Sequence, residues 1–236
     1  MSTSIQPGAA PVCGISSMAT RLLLAELVPA FEQRSGAAVA IESVGGVDAA
    51  RRVMADEAFD VVVLASDALH KLVAAGKVLP GSVVDLVHSG VAVAVKAGAV
   101  QPDIGSEDAV RQAVLAARTI SYSTGPSGVA LAALFERWGL ADAVRDRIVQ
   151  APPGVPVGTL VARGEVELGF QQLSELLHVQ GITVLGPLPP EIQITTTFSA
   201  GVCATANQPE VARALITFMV SSEAADAKRR HGMEPA

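Results

Sequence analysis

Aromatic side chains are scarce in this 236-residue chain: six Phe, one Trp and one Tyr make up 3% of it. A platform of stacked rings, the usual means of holding single-stranded nucleic acid or a sugar, is therefore excluded as the main recognition device. Cysteine is nearly absent too. Cys13 and Cys203 form neither a CxxC pair nor a metal-ligand spacing, and His70, His88, His178 and His231 include no HExxH or HxxxH. No metal and no cofactor is expected. Positive charge is in deficit, with 17 Lys and Arg against 23 Asp and Glu for a net −6. That argues against a broad nucleic-acid or anionic-membrane surface, yet permits a local anion pocket. Half of the residues are hydrophobic, but Glu26, Asp60, Asp67 and Lys96 interrupt the richest runs. None approaches the roughly 18 apolar residues of a membrane span. The stretch MSTSIQPGAAPVCGISS has no Lys or Arg and no apolar core, so it lacks the features of a secretion signal. The expected location is cytoplasmic; a trimmed mature form of an exported protein reads the same way and is periplasmic.

What is present is an alternation of short β-branched runs with helical segments, the signature of βαβ units. AAVAIES (37–43), FDVVVLA (59–65) and RTISYS (118–123) read as strands. MATRLLLAELVPAFEQRSG sets Leu23, Leu24, Leu27 and Phe31 on one helical stripe and stops at Gly36, with Pro29 expected to kink or divide it. GGVDAARRVMADEA and SDALHKLVAAGKV read as crossover helices, the second capped by Ser66 and Gly76. SVVDLVHSGVAVAVKAG and QITTTFSAGVCAT are long β-rich stretches suited to leaving one sheet and entering another. They predict a discontinuous outer lobe, 1–88 plus 197–236, and an inner lobe, 89–196. The expected fold class is α/β and two-lobed, with two hinge strands and a ligand in the interlobe cleft.

Ligands of open α/β sheets bind beyond the carboxyl ends of the strands, where helix N-termini expose N–H groups and partial positive charge. Four strand-to-helix junctions carry glycine and hydroxyl residues. They are GISSMATR (Gly14, Ser16, Ser17), SVGGVDAA (Ser43, Gly45, Gly46), ASDAL (Ser66) and YSTGPSG (Ser123, Thr124, Gly125, Ser127, Gly128). A single Ser before a helix is ordinarily only a cap. YSTGPSG exceeds what capping requires, and its hydroxyls and amides suit a carboxylate or tetrahedral oxyanion. It matches neither GxxxxGK[ST] nor GxGxxG, which disfavours a nucleotide. Arg21, four residues after Ser17, is placed to form a bidentate pair with a carboxylate, the alternative being a solvated surface arginine. Arg51 and Arg52 carry the same two readings. Gln171 and Gln172 lie at a further junction, FQQLSEL. No GxSxG occurs, so triad hydrolase chemistry is disfavoured.

VPAFEQRSG, GGVDAARRVMADEAFDVVVLASDALHKLVAAGKV, SGVAVAVKAG and FSAGVCAT together resemble type 2 periplasmic binding proteins of the molybdate-binding kind. The likeness runs from about Gly14 to Pro235. It implies that Ser16 or Ser17 and Ser66 hold an oxyanion, with inner-lobe contacts near Ser123 to Ser127 and Gly154 to Gly158. GISSMATR, ESVGGVDAA, YSTGPSGVA and FQQLSEL further resemble a subgroup with aconitate isomerase activity, which interconverts trans- and cis-aconitate on this fold. Fold does not fix function, so two readings follow. In the first, an isomerase clamps a tricarboxylate with Ser16, Ser17, Arg21, Ser66, Ser123, Thr124, Ser127 and Gly128 while one general base moves a proton. The base is unassigned among Tyr122, His88 and nearby acids. In the second, the chain delivers molybdate or a related anion to an ABC permease, or acts as a sensor, without catalysis.

Overall fold

A computed structural model describes residues 10–151 and 155–236. The early residues that carry the no-leader reading, and Gly154 of the candidate contact stretch, lie outside the described residues. Contacts divide the chain into two units, Met1–His88 with Thr197–Ala236, and Ser89–Thr196. The first unit opens with β1 (Val12–Ser17), α1 (Arg21–Ser35), β2 (Val39–Val44), α2 (Gly46–Met54), β3 (Val61–Ala65), α3 (Ser66–Ala74) and the long β4 (Val84–Lys96). The second holds the end of β4, then α4 (Glu107–Ala116), β5 (Ile120–Tyr122), α5 (Pro126–Arg137), α6 (Ala141–Val144), α7 (Val157–Arg163), β6 (Leu168–Gln172), α8 (Leu173–Leu176) and β7 (Ile182–Pro187). The chain returns to the first unit along β8 (Thr195–Val202) and ends with α9 (Pro209–Met219), α10 (Ala225–Arg230) and β9 (Met233–Pro235).

In the first unit β2, β1 and β3 are parallel neighbours and β8 runs antiparallel to β3. Strand β3 is buried along its whole length, as strands covered on both faces are. Because successive side chains alternate, Val61, Val63 and Ala65 join the α1 stripe of Leu23, Leu24, Leu27 and Phe31 and α9 residues Leu215 and Met219. Val62 and Leu64 face Ala49, Val53, Leu69 and Leu72 of α2 and α3. Pro29 does not divide α1, which runs unbroken from Arg21 to Ser35. The proline lies on the exposed side, and buried Leu27 and Phe31 hold the helix to the core before and after it.

Asp60, 3% exposed at the foot of β3, ties distant segments of this unit together. Its Oδ2 accepts from the Cys13 amide at 2.8 Å, and its Oδ1 accepts from the Asn207 and Gln208 amides at 2.7 and 2.8 Å. The C-terminal residues, read from sequence only as helix, also form the short β9, with the Ala236 amide donating to the Leu86 carbonyl at 3.3 Å.

In the second unit β4 is antiparallel to β6 and β7, and β5 is parallel to β6. Four of the few aromatics gather here, with Phe135 against Tyr122, Trp138 and Phe170 at centroid distances of 5.9, 5.9 and 6.1 Å. Helix α7 lies close on β6: a Cβ at Gly169 would stand 2.5 Å from Val161 Cγ2. Among the described residues no helix is long and apolar enough to cross a membrane.

Candidate functional site

Each unit gathers hydroxyls where its parallel strands end. In the first, β1 and β2 set Ser16 beside Ser43 in register, and their hydroxyls are 2.7 Å apart. Ser16 Oγ also lies 3.4 Å from the Ser17 carbonyl oxygen, so the pair keeps a proton for a ligand, on Ser43, when Ser16 donates to Ser43, and uses both protons within the protein when Ser43 donates to Ser16. Ser17, half-buried, caps a short 3-10 turn by accepting from the Ala19 amide at 3.4 Å. A Cβ on Gly46 would lie 3.6 Å from Ser17 Oγ, so α2 begins close beside it.

Arg21 opens α1 and is exposed. No carboxylate among the described residues pairs with it. It lines a groove of about 210 Å³ with Leu24, Ala25, Val28, Pro29, Ile41 and Ser43, so guanidinium and hydroxyl flank an apolar floor. Arg51 and Arg52 differ. Arg51 Nε donates to Asp48 at 3.1 Å, while Arg52 bonds Glu57 at 2.8 Å, pairs with Glu42 at 2.9 Å and covers the Phe59 ring. Both are engaged within the protein, and the two carboxylates raise the Arg52 guanidinium further above its already high range.

Ser66 is not the cap of α3. It is the first helical residue, Ala65 occupies the cap position, and no side chain caps the helix. Its hydroxyl instead bonds Ser199 Oγ and donates to Asp85 Oδ1 at 3.2 Å; Ser199 Oγ donates to the same Asp85 oxygen at 2.5 Å.

In the second unit β5 and β6 end side by side, Tyr122 in register with Phe170, so YSTGPSG and FQQLSEL share one sheet edge. Ser123 and Ser127 hydroxyls lie 3.0 Å apart, and Thr124 is exposed. Gly128 packs so tightly that a Cβ would stand 1.6 Å from the Ser123 carbonyl oxygen. Gln171 links α7 to α8: its Oε1 accepts from the Gly158 amide at 3.1 Å and its Nε2 donates to Glu175 Oε1 at 2.9 Å. Gln172 donates to Thr196 Oγ1 at 2.9 Å, and its buried Oε1 has no partner among the described residues.

The acids and bases are placed unequally. His88 is exposed, with Nδ1 2.9 Å from Thr197 Oγ1. Tyr122 is half-buried edge-on to Phe135, and burial raises its hydroxyl above the usual phenol range. Glu175 is half-buried in α8, just after β6; burial pushes its carboxyl up to about 7, opposed by the Gln171 amide. Its ordinary value is 4.5. Between those limits the folded state holds more protons than the unfolded one, so stability falls as pH rises through this window. Glu175→Gln keeps an acceptor for Gln171 and removes the titration. Thermal unfolding is expected to show the variant more stable than wild type at pH 8, by about 1–3 kcal/mol, and level with it near pH 4.5. Equal stability at both pH values would contradict the burial of this carboxyl. Sequence reasoning missed Glu175, Asp85 and Ser199. Among the described residues no cluster of His, Cys, Asp and Glu is able to hold a metal.

A family model described as bacterial extracellular solute-binding protein matches residues 14–234. The chain belongs to that family. This solute-binding family member is 40% identical over 216 residues to an aconitate isomerase from Pseudomonas sp, covering 89% of this chain and 82% of that protein. Its fold is similar to the periplasmic molybdate-binding protein of Azotobacter vinelandii, with TM-score 0.79, 21% identity, and coverage of 95% of this chain and 99% of that one. The sulfate-binding protein of Mycobacterium tuberculosis aligns with TM-score 0.73 and 17% identity over 97% of this chain and 88% of its own. At such identities the structural likeness establishes the mixed α/β periplasmic-binding-protein-like fold alone.

Proposed function

We propose that the chain is an aconitate isomerase, interconverting trans- and cis-aconitate. The observation that carries this reading is the 40% identity to an aconitate isomerase across 89% of the chain. The reaction moves one proton between the two ends of an allylic system flanked by carboxylates, leaves the composition unchanged and needs no oxidant or reductant. It requires fixed donors on the carboxylates, because charge delocalises onto them as the C–H bond breaks, and a base to carry the proton. Arg21, which pairs with no carboxylate among the described residues and lines a groove together with Ser43, suits a carboxylate in bidentate geometry. Ser17, and Ser43 when Ser16 donates to it, supply neutral hydroxyl donors nearby in the same unit. Ser123, Thr124 and Ser127, around Gly128, form a separate donor set in the second unit.

Ligand class is tested by calorimetry. Trans- and cis-aconitate are expected to bind, molybdate and sulfate to give no heat, and Arg21→Gln to weaken aconitate binding about 10- to 100-fold, or roughly 1.4–2.7 kcal/mol. Tight binding of molybdate with none of tricarboxylates would overturn the proposal and make the chain an oxyanion carrier.

A further inference from the structure

Two serines and a carboxylate from three separate elements meet in the first unit. Ser66 begins α3, Asp85 lies near the start of β4, and Ser199 lies in β8. Ser199 is fully buried, Ser66 half-buried and Asp85 exposed. Both hydroxyls converge on one carboxylate oxygen, Oδ1, with donor distances of 3.2 Å from Ser66 and 2.5 Å from Ser199. Oδ2 has no hydrogen-bond partner among the described residues.

The proton inventory of this cluster is closed. Ser199 gives its proton to Asp85, and Ser66 gives its own to Asp85 or Ser199, so neither hydroxyl has a proton left for an anion. The arrangement is therefore unsuited to holding an anion at Ser66. It suits a base: one oxygen is anchored by buried or half-buried donors, and the other is open on an exposed side chain.

We propose that Asp85 is the general base of the isomerisation, with Ser66 and Ser199 as positioning residues. This rests on the aconitate isomerase reading above. The free carboxylate oxygen takes a proton from the substrate CH₂ carbon, and the C–H electrons enter the allylic system conjugated with the carboxylates. The new O–H bond then breaks as the proton passes to the former vinylic carbon, which shifts the double bond and restores the Asp85 carboxylate. A hydroxyl pair on Oδ1 keeps the side chain from swinging away between the two transfers. Against this, His88 shares its Nδ1 with Thr197, and Tyr122 packs edge-on against Phe135.

The test is proton NMR of trans-aconitate in D₂O with wild type, Asp85→Asn, Ser199→Ala and Glu175→Gln. The amide side chain introduced by Asp85→Asn retains an oxygen for both serines, so this variant is expected to keep the wild-type fold by circular dichroism and to bind trans-aconitate within about threefold of wild type. It is expected to lose between about a hundredfold and ten-thousandfold in kcat, together with deuterium incorporation at the substrate carbons. Ser199→Ala is expected to lower kcat about tenfold with KM little changed, the split a positioning residue gives and a binding residue does not. An active wild type with Asp85→Asn within about tenfold in kcat would overturn the base assignment alone, and an inactive Glu175→Gln beside it would transfer the role to Glu175. Loss of binding in Asp85→Asn in proportion to its loss of turnover would also overturn it. A wild-type chain that neither isomerises nor exchanges trans-aconitate defeats the isomerase reading and the base together.

Discussion

Asp60→Ala is expected to lower the thermal midpoint by about 5–15 °C, corresponding to roughly 2–4 kcal/mol for a chain of this size. The carboxylate is buried, and it accepts three backbone amides from two distant stretches, Cys13 on β1 and Asn207 with Gln208 before α9. Alanine removes every one of these acceptors at once. Asn207 is exposed and regains water, but Cys13 is half-buried and its amide is left poorly satisfied. Asp60→Asn is expected to lose nearly as much, because its amide nitrogen turns a donor toward donors. Differential scanning calorimetry decides it: a midpoint within about 2 °C of wild type for Asp60→Ala would show that the carboxylate does not join these segments.

Gly128→Ala is expected to cost about 2–4 kcal/mol and to deform the STGPSG turn. The added methyl would stand 1.6 Å from the Ser123 carbonyl oxygen and 2.7 Å from its carbon, contacts that only a backbone shift relieves. That shift pulls Ser123 away from Ser127, whose hydroxyls are 3.0 Å apart. Gly125→Ala is the matched control. Its φ is −81°, and its Cβ would meet nothing nearer than Ser123 Oγ at 3.9 Å. It is expected to cost no more than about 1 kcal/mol, the loss of a glycine at the helix cap. Chemical denaturation of the pair separates steric exclusion from general sensitivity of the loop; equal stabilities would contradict the close approach of Ser123 to α5.

The two variants also mark where the sequence is readable. The α1 stripe of Leu23, Leu24, Leu27 and Phe31 and the fully apolar β3 are local patterns with one physical reading each, and both enter the core as expected. Hydroxyls at strand ends are local as well, which is why Ser16, Ser17, Ser66, Ser123 and Ser127 stand out without a structure. What they bond to is not local. Asp85 meets Ser199 across 114 positions, and Asp60 meets Asn207 across 147. No periodicity encodes such pairings, so Asp85 and Ser199 were invisible and Ser66 read as a helix cap. Arg51 and Arg52 lie between these cases. The Asp48–Arg51 pair sits at helical i,i+3 spacing and was legible in principle, whereas the bond from Arg52 to Glu42 depends on β2 lying beside α2. Glu175 was missed because its carboxyl is unusual through burial, and burial is a property of the assembled unit.

The central claim is catalysis, and turnover of trans-aconitate tests it most directly. Purified chain, mixed with trans-aconitate and followed by proton NMR, is expected to generate the vinyl signal of the cis isomer, to approach the same final ratio from either isomer, and to do so without added metal or cofactor. Persistence of the trans isomer alone, with the protein folded by circular dichroism, would contradict the account.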